Sequence, residues 1–183
     1  MYTEGSTEKA KKKNGIISIV IKFAIWIPVI LLAMTIFGFS GQNGEESGGL
    51  SRKAAGVVIT VADQIHILDV TPETKESYMD KVEYPIRKCA HMSEYALLGL
   101  LIYLALRVDG MNRCYGKYVE FGMAVAFACT DEIHQLYVPG RSGRFTDVLF
   151  DSAGCLIALL ICHVCGNLYT RKFQKNSRKN IAI

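Results

Sequence analysis

The sequence has no disulfide framework. Of its 6 cysteines, Cys114, Cys129, Cys155, Cys162 and Cys165 fall in apolar segments or a short basic loop. Cys89 is left without a partner on the other side of a membrane, so no stapled extracellular module is present. Cys162-His163-Val164-Cys165 has redox or zinc spacing, but no second pair accompanies it and the cysteines read as packing residues. Basic residues never gather into a patch with aromatic ones, which excludes a nucleic-acid partner. No HExxH-like spacing occurs. A metal held by His91, His134 and carboxylates would therefore lack a recognisable ligand motif, and no metal or cofactor is indicated. The first apolar stretch ends in Phe37-Gly38-Phe39-Ser40 without a convincing cleavage site and is too long for a secretory h-region.

Long apolar stretches are plentiful. Half of the 183 residues are hydrophobic, and they concentrate in four runs: Ile16 to Phe39, Cys89 to Leu106, Tyr118 to Val138 and Phe145 to Thr170. Each can cross a hydrocarbon layer of roughly 30 Å at about 1.5 Å per helical residue. The expected fold is all-α: a polytopic membrane protein with four transmembrane helices at about 16–39, 89–106, 118–138 and 145–170. The expected single membrane domain, 16–170, is flanked by polar tails at 1–15 and 171–183, with residues 1–14 and roughly the last ten disordered. Gly122 with Ala126, and Gly154 with Ala158, are small residues four apart that permit close helix contact.

Charge sets an expected orientation. Lys9, Lys11, Lys12 and Lys13 precede the first helix; Arg107, Arg113 and Lys117 bracket the loop after the second; Arg171, Lys172, Lys175, Arg178 and Lys179 follow the fourth. The positive-inside rule places these regions and both termini in the cytoplasm. Lys22 then snorkels toward the nearer interface. The segment 40–88, rich in Asp and Glu, falls outside. It opens on a Gly, Ser and Asn-rich turn and continues as an amphipathic helix over Ser51 to Leu68, which caps the bundle or lies on the membrane surface. A second external helix starts at Thr71-Pro72-Glu73 and ends near Glu83, because Pro85 disfavours helical geometry at Tyr84.

Ionisable side chains inside the apolar runs carry the functional signal, since each costs several kcal/mol at membrane depth and therefore faces protein or a wet cavity. They crowd toward the outer ends of the helices. Arg87, His91 and Glu94 share one face by their four and three spacing; Asp131, Glu132, His134 and Gln135 lie in the outer third of the next helix; Arg144, Asp147 and Asp151 repeat the pattern on the last. Gln42 and Arg141 lie on the adjoining loops. Convergence of Gln42, Arg87, His91, Glu94, Asp131, Glu132, Gln135, Arg141, Arg144, Asp147 and Asp151 would make one outward-facing polar pocket.

The ordered motifs Arg87-Lys-Cys-Ala-His91-Met-Ser-Glu94-Tyr95, Asp131-Glu132-Ile-His-Gln135, Pro139-Gly-Arg141 and Asp147-Val-Leu-Phe-Asp151-Ser-Ala-Gly154 resemble the VanZ-like family of bacterial integral membrane proteins. Phe39-Ser40-Gly41-Gln42 ahead of Glu45-Glu46-Ser47 is similar to that family's segment after its first helix. The likeness covers roughly residues 35–160. Many members carry asparagine where this chain has Asp151. The resemblance implies a four-helix protein of the bacterial plasma membrane, and the family's namesake is associated with low-level resistance to the glycopeptide teicoplanin.

Three functions compete. In the first, the pocket binds or handles an anionic cell-envelope molecule, a lipid-linked or glycopeptide ligand, which Arg87, Arg141 and Arg144 grip bidentately. In the second, His91, Glu94 and Asp131 are acid–base residues of a membrane-embedded hydrolase or group transferase. The third, an ion-coupled transporter, fits less well with charge confined to one side.

Overall fold

Residues 15–181 are described by a computed structural model, and among the described residues every regular element is a helix. Residues 15–24 are helical and run through a single turn residue, Ile25, into α1 (Trp26–Ser40). Then follow α2 (Gly44–Gln64), α3 (Pro72–Val108), α4 (Arg113–Gln135) and α5 (Phe145–Ile181). Three helices are long and apolar enough to cross a membrane: Gly15–Ser40, Pro72–Val108 and Phe145–Tyr169. Over its 23 residues α4 carries Glu120, Asp131 and Glu132, which dilute its hydropathy.

The helix ends explain where the observed bounds depart from expectation. Asn43, in extended geometry, accepts a hydrogen bond from the Glu46 backbone N–H at 2.9 Å, with Glu45 and Glu46 in the first turn. An N-cap of that kind with acids beside the positive helix end starts α2 inside the Gly/Ser-rich stretch expected to be a turn, so α2 begins seven residues before Ser51 and stops at Gln64, short of Leu68. Asn112 caps α4 likewise through Cys114 N–H at 2.8 Å, moving its start to Arg113 and its end to Gln135 rather than Val138.

Pro85 does not end a helix. The expected external helix at 71–83 and the expected span at 89–106 are one 37-residue rod, α3, with Pro85 inside it. Proline forfeits one helical hydrogen bond and costs about 3 kcal/mol in a helix interior, so flanking contacts must hold the two halves in line. They come from α2: Arg52 pairs with Glu76, with Asp80 at 2.9 Å and with Glu83 at 3.6 Å, and Ser51 accepts from Arg87 Nε at 3.2 Å. These contacts bridge the proline from one side to the other. Its N-terminal end carries a capping box at Thr71 with Pro72 at the first helical position. At about 1.5 Å per residue α3 is roughly 55 Å long, so its polar first half projects beyond a 30 Å hydrocarbon layer.

The core is shared by α1, α3, α4 and α5: Val29 and Ile36; Tyr95, Leu98, Ile102, Ala105 and Leu106; Ala124 and Ala128; Val148 and Cys155. Packing of α5 on α3 is closest at Gly154, where a Cβ would collide with the backbone carbonyl of Met92. Gly122 and Ala126 do not make the close contact expected of them. Both are exposed, and a Cβ on Gly122 would meet nothing within 4 Å, because α4 buries the stripe Glu120, Ala124, Ala128 and Asp131 instead.

At the far end Lys22 donates to the Asp109 carbonyl at 3.3 Å and Trp26 Nε1 donates to Asp109 Oδ2 at 2.9 Å, which ties the first helix to the turn between α3 and α4. The apolar side chains of residues 15–40 and of α5 otherwise point outward, as for helices solvated by lipid. The expected tail at 1–14, with its lysines, lies outside the described residues. In place of a disordered second tail, α5 remains helical to Ile181, and most of its basic side chains beyond Thr170 also lie outside the described ones.

Candidate functional site

The ends of α1, α4 and α5 meet the middle of α3 in one region, and two loops fix the geometry. Gly44 N–H donates to the Pro139 carbonyl at 3.2 Å, and Gly140 adopts φ +73°, a left-handed conformation that favours glycine. A Cβ on Gly44 would strike the Gly140 carbonyl, so the loop after α1 and the loop after α4 interlock backbone to backbone.

Arg141 projects from that junction. Its Nε donates to the Gln42 carbonyl and one Nη to the Phe39 carbonyl, each at 3.2 Å. A cation placed on the last carbonyls of α1 sits at the negative end of the helix dipole. No carboxylate forms an ion pair with Arg141 among the described residues. Burial, and then the nearby positive charge of Arg87, push its guanidinium below the usual arginine value. The two cations of α3 beside it are paired: Arg87 donates to Glu83 at 2.6 Å, and Lys88 meets Asp147 at 2.6 Å in a largely buried bridge between α3 and α5, whereas Arg144 forms no ion pair among the described residues.

Deeper in the bundle lies a carboxylate layer. Asp131 is fully buried; its Oδ2 accepts from Ser40 Oγ at 2.7 Å and from Gln135 Nε2 at 3.3 Å, while its Oδ1 and the hydroxyl of the equally buried Tyr95 have no hydrogen-bond partner among the described residues. Glu132 Oε2 accepts from the backbone N–H of Arg144 at 2.8 Å, just ahead of α5, and so caps that helix. Asp151 is buried one turn further along α5 than Asp147. His134 forms no ion pair with the carboxylates among the described residues, and its ring stacks on Phe37 with centroids 4.1 Å apart.

Two cavities open on this arrangement, sharing Arg87, His91 and Arg141 as a common wall. One, of about 130 Å³, is lined also by Gln42, Glu94 and Ser51 and by the apolar Phe39, Leu50, Ile86 and Ala90. The other, of about 210 Å³, is lined by Lys88, Gln135, Ser142, Arg144 and Asp147. An apolar compartment and a polar one thus flank a pair of guanidinium groups. A larger groove of about 820 Å³ runs open between α2 and the first half of α3, past Val57, Val61 and Met79, away from the buried charges. There Arg52, exposed and bonded to Asp80 and Glu76, is raised from the usual arginine value by those two hydrogen bonds.

Of the residues expected to converge, Gln42, Arg87, His91, Glu94, Gln135, Arg141, Arg144 and Asp147 line one cavity or both, whereas Asp131, Glu132 and Asp151 lie buried around them. His91 Nδ1 stands 3.7 Å from Glu94 Oε2, beyond hydrogen-bond reach. Sequence reasoning missed Ser40, Ser51 and Tyr95, whose roles come only from what they touch. Glu120 was missed too. It is fully buried, in the other half of α4, and so corrects the expectation that every acidic group crowds toward one end. A lone carboxyl in an apolar run was the available signal.

The sequence model of the VanZ/LLP1 family matches residues 25–166, and the chain belongs to that family. No curated protein and no solved structure matches it.

Proposed function

We propose that this VanZ/LLP1-family membrane protein binds an anionic cell-envelope molecule, a lipid-linked phosphate intermediate of the outer leaflet fitting it best, in the two cavities joined at Arg87, His91 and Arg141. The observation that carries this reading is the state of Arg141, a half-buried guanidinium held by two backbone carbonyls and left without a carboxylate. Backbone carbonyls orient the side chain without cancelling its charge. A guanidinium has five N–H donors, and the two bonds to the Phe39 and Gln42 carbonyls leave the rest for a phosphate or carboxylate. The apolar side at Phe39, Leu50 and Ile86 suits a lipid chain, and the polar side suits the head group it carries.

In this proposal α4 is a fourth span. Its 23 residues cover about 34 Å, its acids face the bundle, and exposed tyrosines mark both ends, Tyr115 and Tyr118 at one and Tyr137 at the other, as interfacial anchors do. Both termini then lie in the cytoplasm and the cavities face outward at the bacterial plasma membrane. Tolerance of the glycopeptide teicoplanin would follow if the bound molecule is one on which the antibiotic depends. Support for that step is family membership alone.

The test uses the full chain in nanodiscs, with a polyprenyl monophosphate and the matching polyprenol as probes and native mass spectrometry as readout. Phosphate-dependent binding, lost by about tenfold or more in Arg141→Ala, is expected for a charge-assisted contact of about 1.5–3 kcal/mol. Equal binding of the polyprenol would sink the proposal. The acid–base reading of His91, Glu94 and Asp131 rests on His91 facing both cavities; hydrolysis of a lipid-linked pyrophosphate by the pure protein, lost in His91→Gln, would favour it.

A further inference from the structure

Glu120 lies outside everything that the cavities explain. It sits in the first half of α4, the half remote from Asp131 and Glu132, and its relative exposure is 0%. Neither carboxyl oxygen has a hydrogen-bond partner among the described residues. No ion pair among them reaches it. The space it fills is built by its neighbours. Its Oε1 lies against Gly99 of α3 where a Cβ would collide with it, and the same Gly99 surface abuts Cys155 of α5. Glycine within a helix gives up about 1 kcal/mol relative to alanine, and here that absence of a side chain is what makes room for the carboxyl.

A purely structural carboxyl would be satisfied, because an unpaired buried polar group costs on the order of 1–3 kcal/mol and an isolated buried charge far more. Glu120 pays no such debt through a partner. A hard divalent cation does not account for it either, since such ions gather about six oxygens. The groups around Glu120 are the Gly99 backbone and the thiols of Cys155 and Cys162 on α5. Among the described residues the titratable groups that interact with it are those two cysteines, from α5. The smallest cation, which needs one oxygen lone pair and no coordination shell, fits. We propose that Glu120 is a proton-binding site inside the bundle, cradled by Gly99 and Cys155 and separate from the arginine-walled cavities. Cys155 stands one helical turn from Asp151, and its Sγ donates to the Tyr95 carbonyl at 3.3 Å. The bound proton is therefore one side chain removed from the carboxylate layer, and its exchange can be linked to what the cavities hold.

The test is labelling of the full-length protein, in detergent and in nanodiscs, with the apolar reagent dicyclohexylcarbodiimide. It adds to a carboxyl as the protonated acid, giving an O-acylisourea that rearranges to a stable N-acylurea, and peptide mass spectrometry locates the adduct. Glu120 should be modified at neutral pH at least about tenfold faster than exposed Glu45, Glu46 or Glu73, as expected for a carboxyl that holds its proton while theirs are ionised. Raising the pH should suppress the adduct. Infrared spectra give an independent readout: a protonated-carboxyl C=O band present in the parent and missing from Glu120→Gln. Should Glu120→Gln fail to fold, Gly99→Ala, which pushes a methyl group onto Oε1, should change both the labelling rate and the band. Absence of the adduct from the folded protein, with the denatured chain labelled normally, together with an unchanged infrared band in Glu120→Gln, overturns the proposal. So does labelling of Glu120 that matches the exposed glutamates.

Discussion

Replacing Ser40 with alanine removes one hydroxyl from the centre of the carboxylate layer. Ser40 and Asp131 are both fully buried, and the hydroxyl donates to Oδ2 at 2.7 Å, the usual length for an O–H···O bond. In water-soluble proteins a hydrogen bond to a charged group contributes about 1.5–3 kcal/mol. Within membranes, interhelical hydrogen bonds average only about 0.6 kcal/mol and reach about 1.7, because the unfolded chain in lipid also finds partners. Two features push this bond to the top of the membrane range. Oδ1 of Asp131 is already unpartnered, and without Ser40 the Oδ2 atom keeps only Gln135 at 3.3 Å. The volume lost is a single oxygen, too small for a cavity penalty to dominate. Ser40→Ala should therefore cost about 1.5 kcal/mol. The assay is reversible unfolding in mixed micelles of the parent, Ser40→Ala, Asp131→Ala and the double variant. The cycle should return a coupling of about 1 kcal/mol or more. A coupling below about 0.3 kcal/mol, the level at which independent sites add, would refute the bond as a link between α1 and α4.

Gly154→Ala should destabilise by about 1–3 kcal/mol, as overpacking does, because the new methyl meets the Met92 carbonyl. Gly122→Ala should be neutral or stabilising by up to about 1 kcal/mol, since open space surrounds it and alanine is the better helix former; thermal unfolding of the two variants side by side checks both. Arg141→Lys should preserve fold and expression but weaken binding of the polyprenyl phosphate, because an ammonium cannot keep both bonds to the Phe39 and Gln42 carbonyls and also grip a phosphate bidentately; unchanged affinity in native mass spectrometry would show that charge alone suffices. For topology, a cysteine-free chain given Ser47→Cys should react with an impermeant maleimide in intact cells, and one retaining only Cys114 should react only after lysis; the reverse pattern would invert the proposed orientation.

The long apolar runs and their helical state could be read from the sequence because hydrocarbon thickness leaves few alternatives. That Arg87 and His91 share a face of α3 was legible too, since residues three and four apart on a helix do. What stayed hidden depended on contacts between elements. Pro85 reads locally as a helix stop, and only Arg52 and Ser51 of α2, reaching across it, show why the helix continues. Gly122 and Gly154 have the same spacing to an alanine, yet one faces outward and the other touches a backbone. The spacing cannot say which, because the facing helix is supplied by the fold. Glu120 is a different case. Its position in an apolar run was visible, and attention to the charge-rich end of α4 passed over it.

The carboxylates and arginines of the site do two kinds of work at once, and this bears on how the site can stand empty. Arg141 closes the end of α1, Glu132 caps the start of α5, Lys88 with Asp147 joins α3 to α5, and Ser40 with Asp131 joins α1 to α4. Without a ligand these groups remain hydrogen-bonded, so the ends of α1 and α5 do not depend on occupancy. Lys88 and Arg87 are neutralised by Asp147 and Glu83, so they offer an incoming anion direction more than charge. Arg141 is bound by carbonyls alone, and no carboxylate among the described residues pairs with it. In the proposed reading, discrimination between an anionic and a neutral or zwitterionic lipid would fall on Arg141, with the paired Arg87 beside it. An anion bound there, as proposed, would add to Arg141 and break none of the bonds that join α1, α3, α4 and α5, which is the condition for a site that could fill and empty without unfolding its own scaffold.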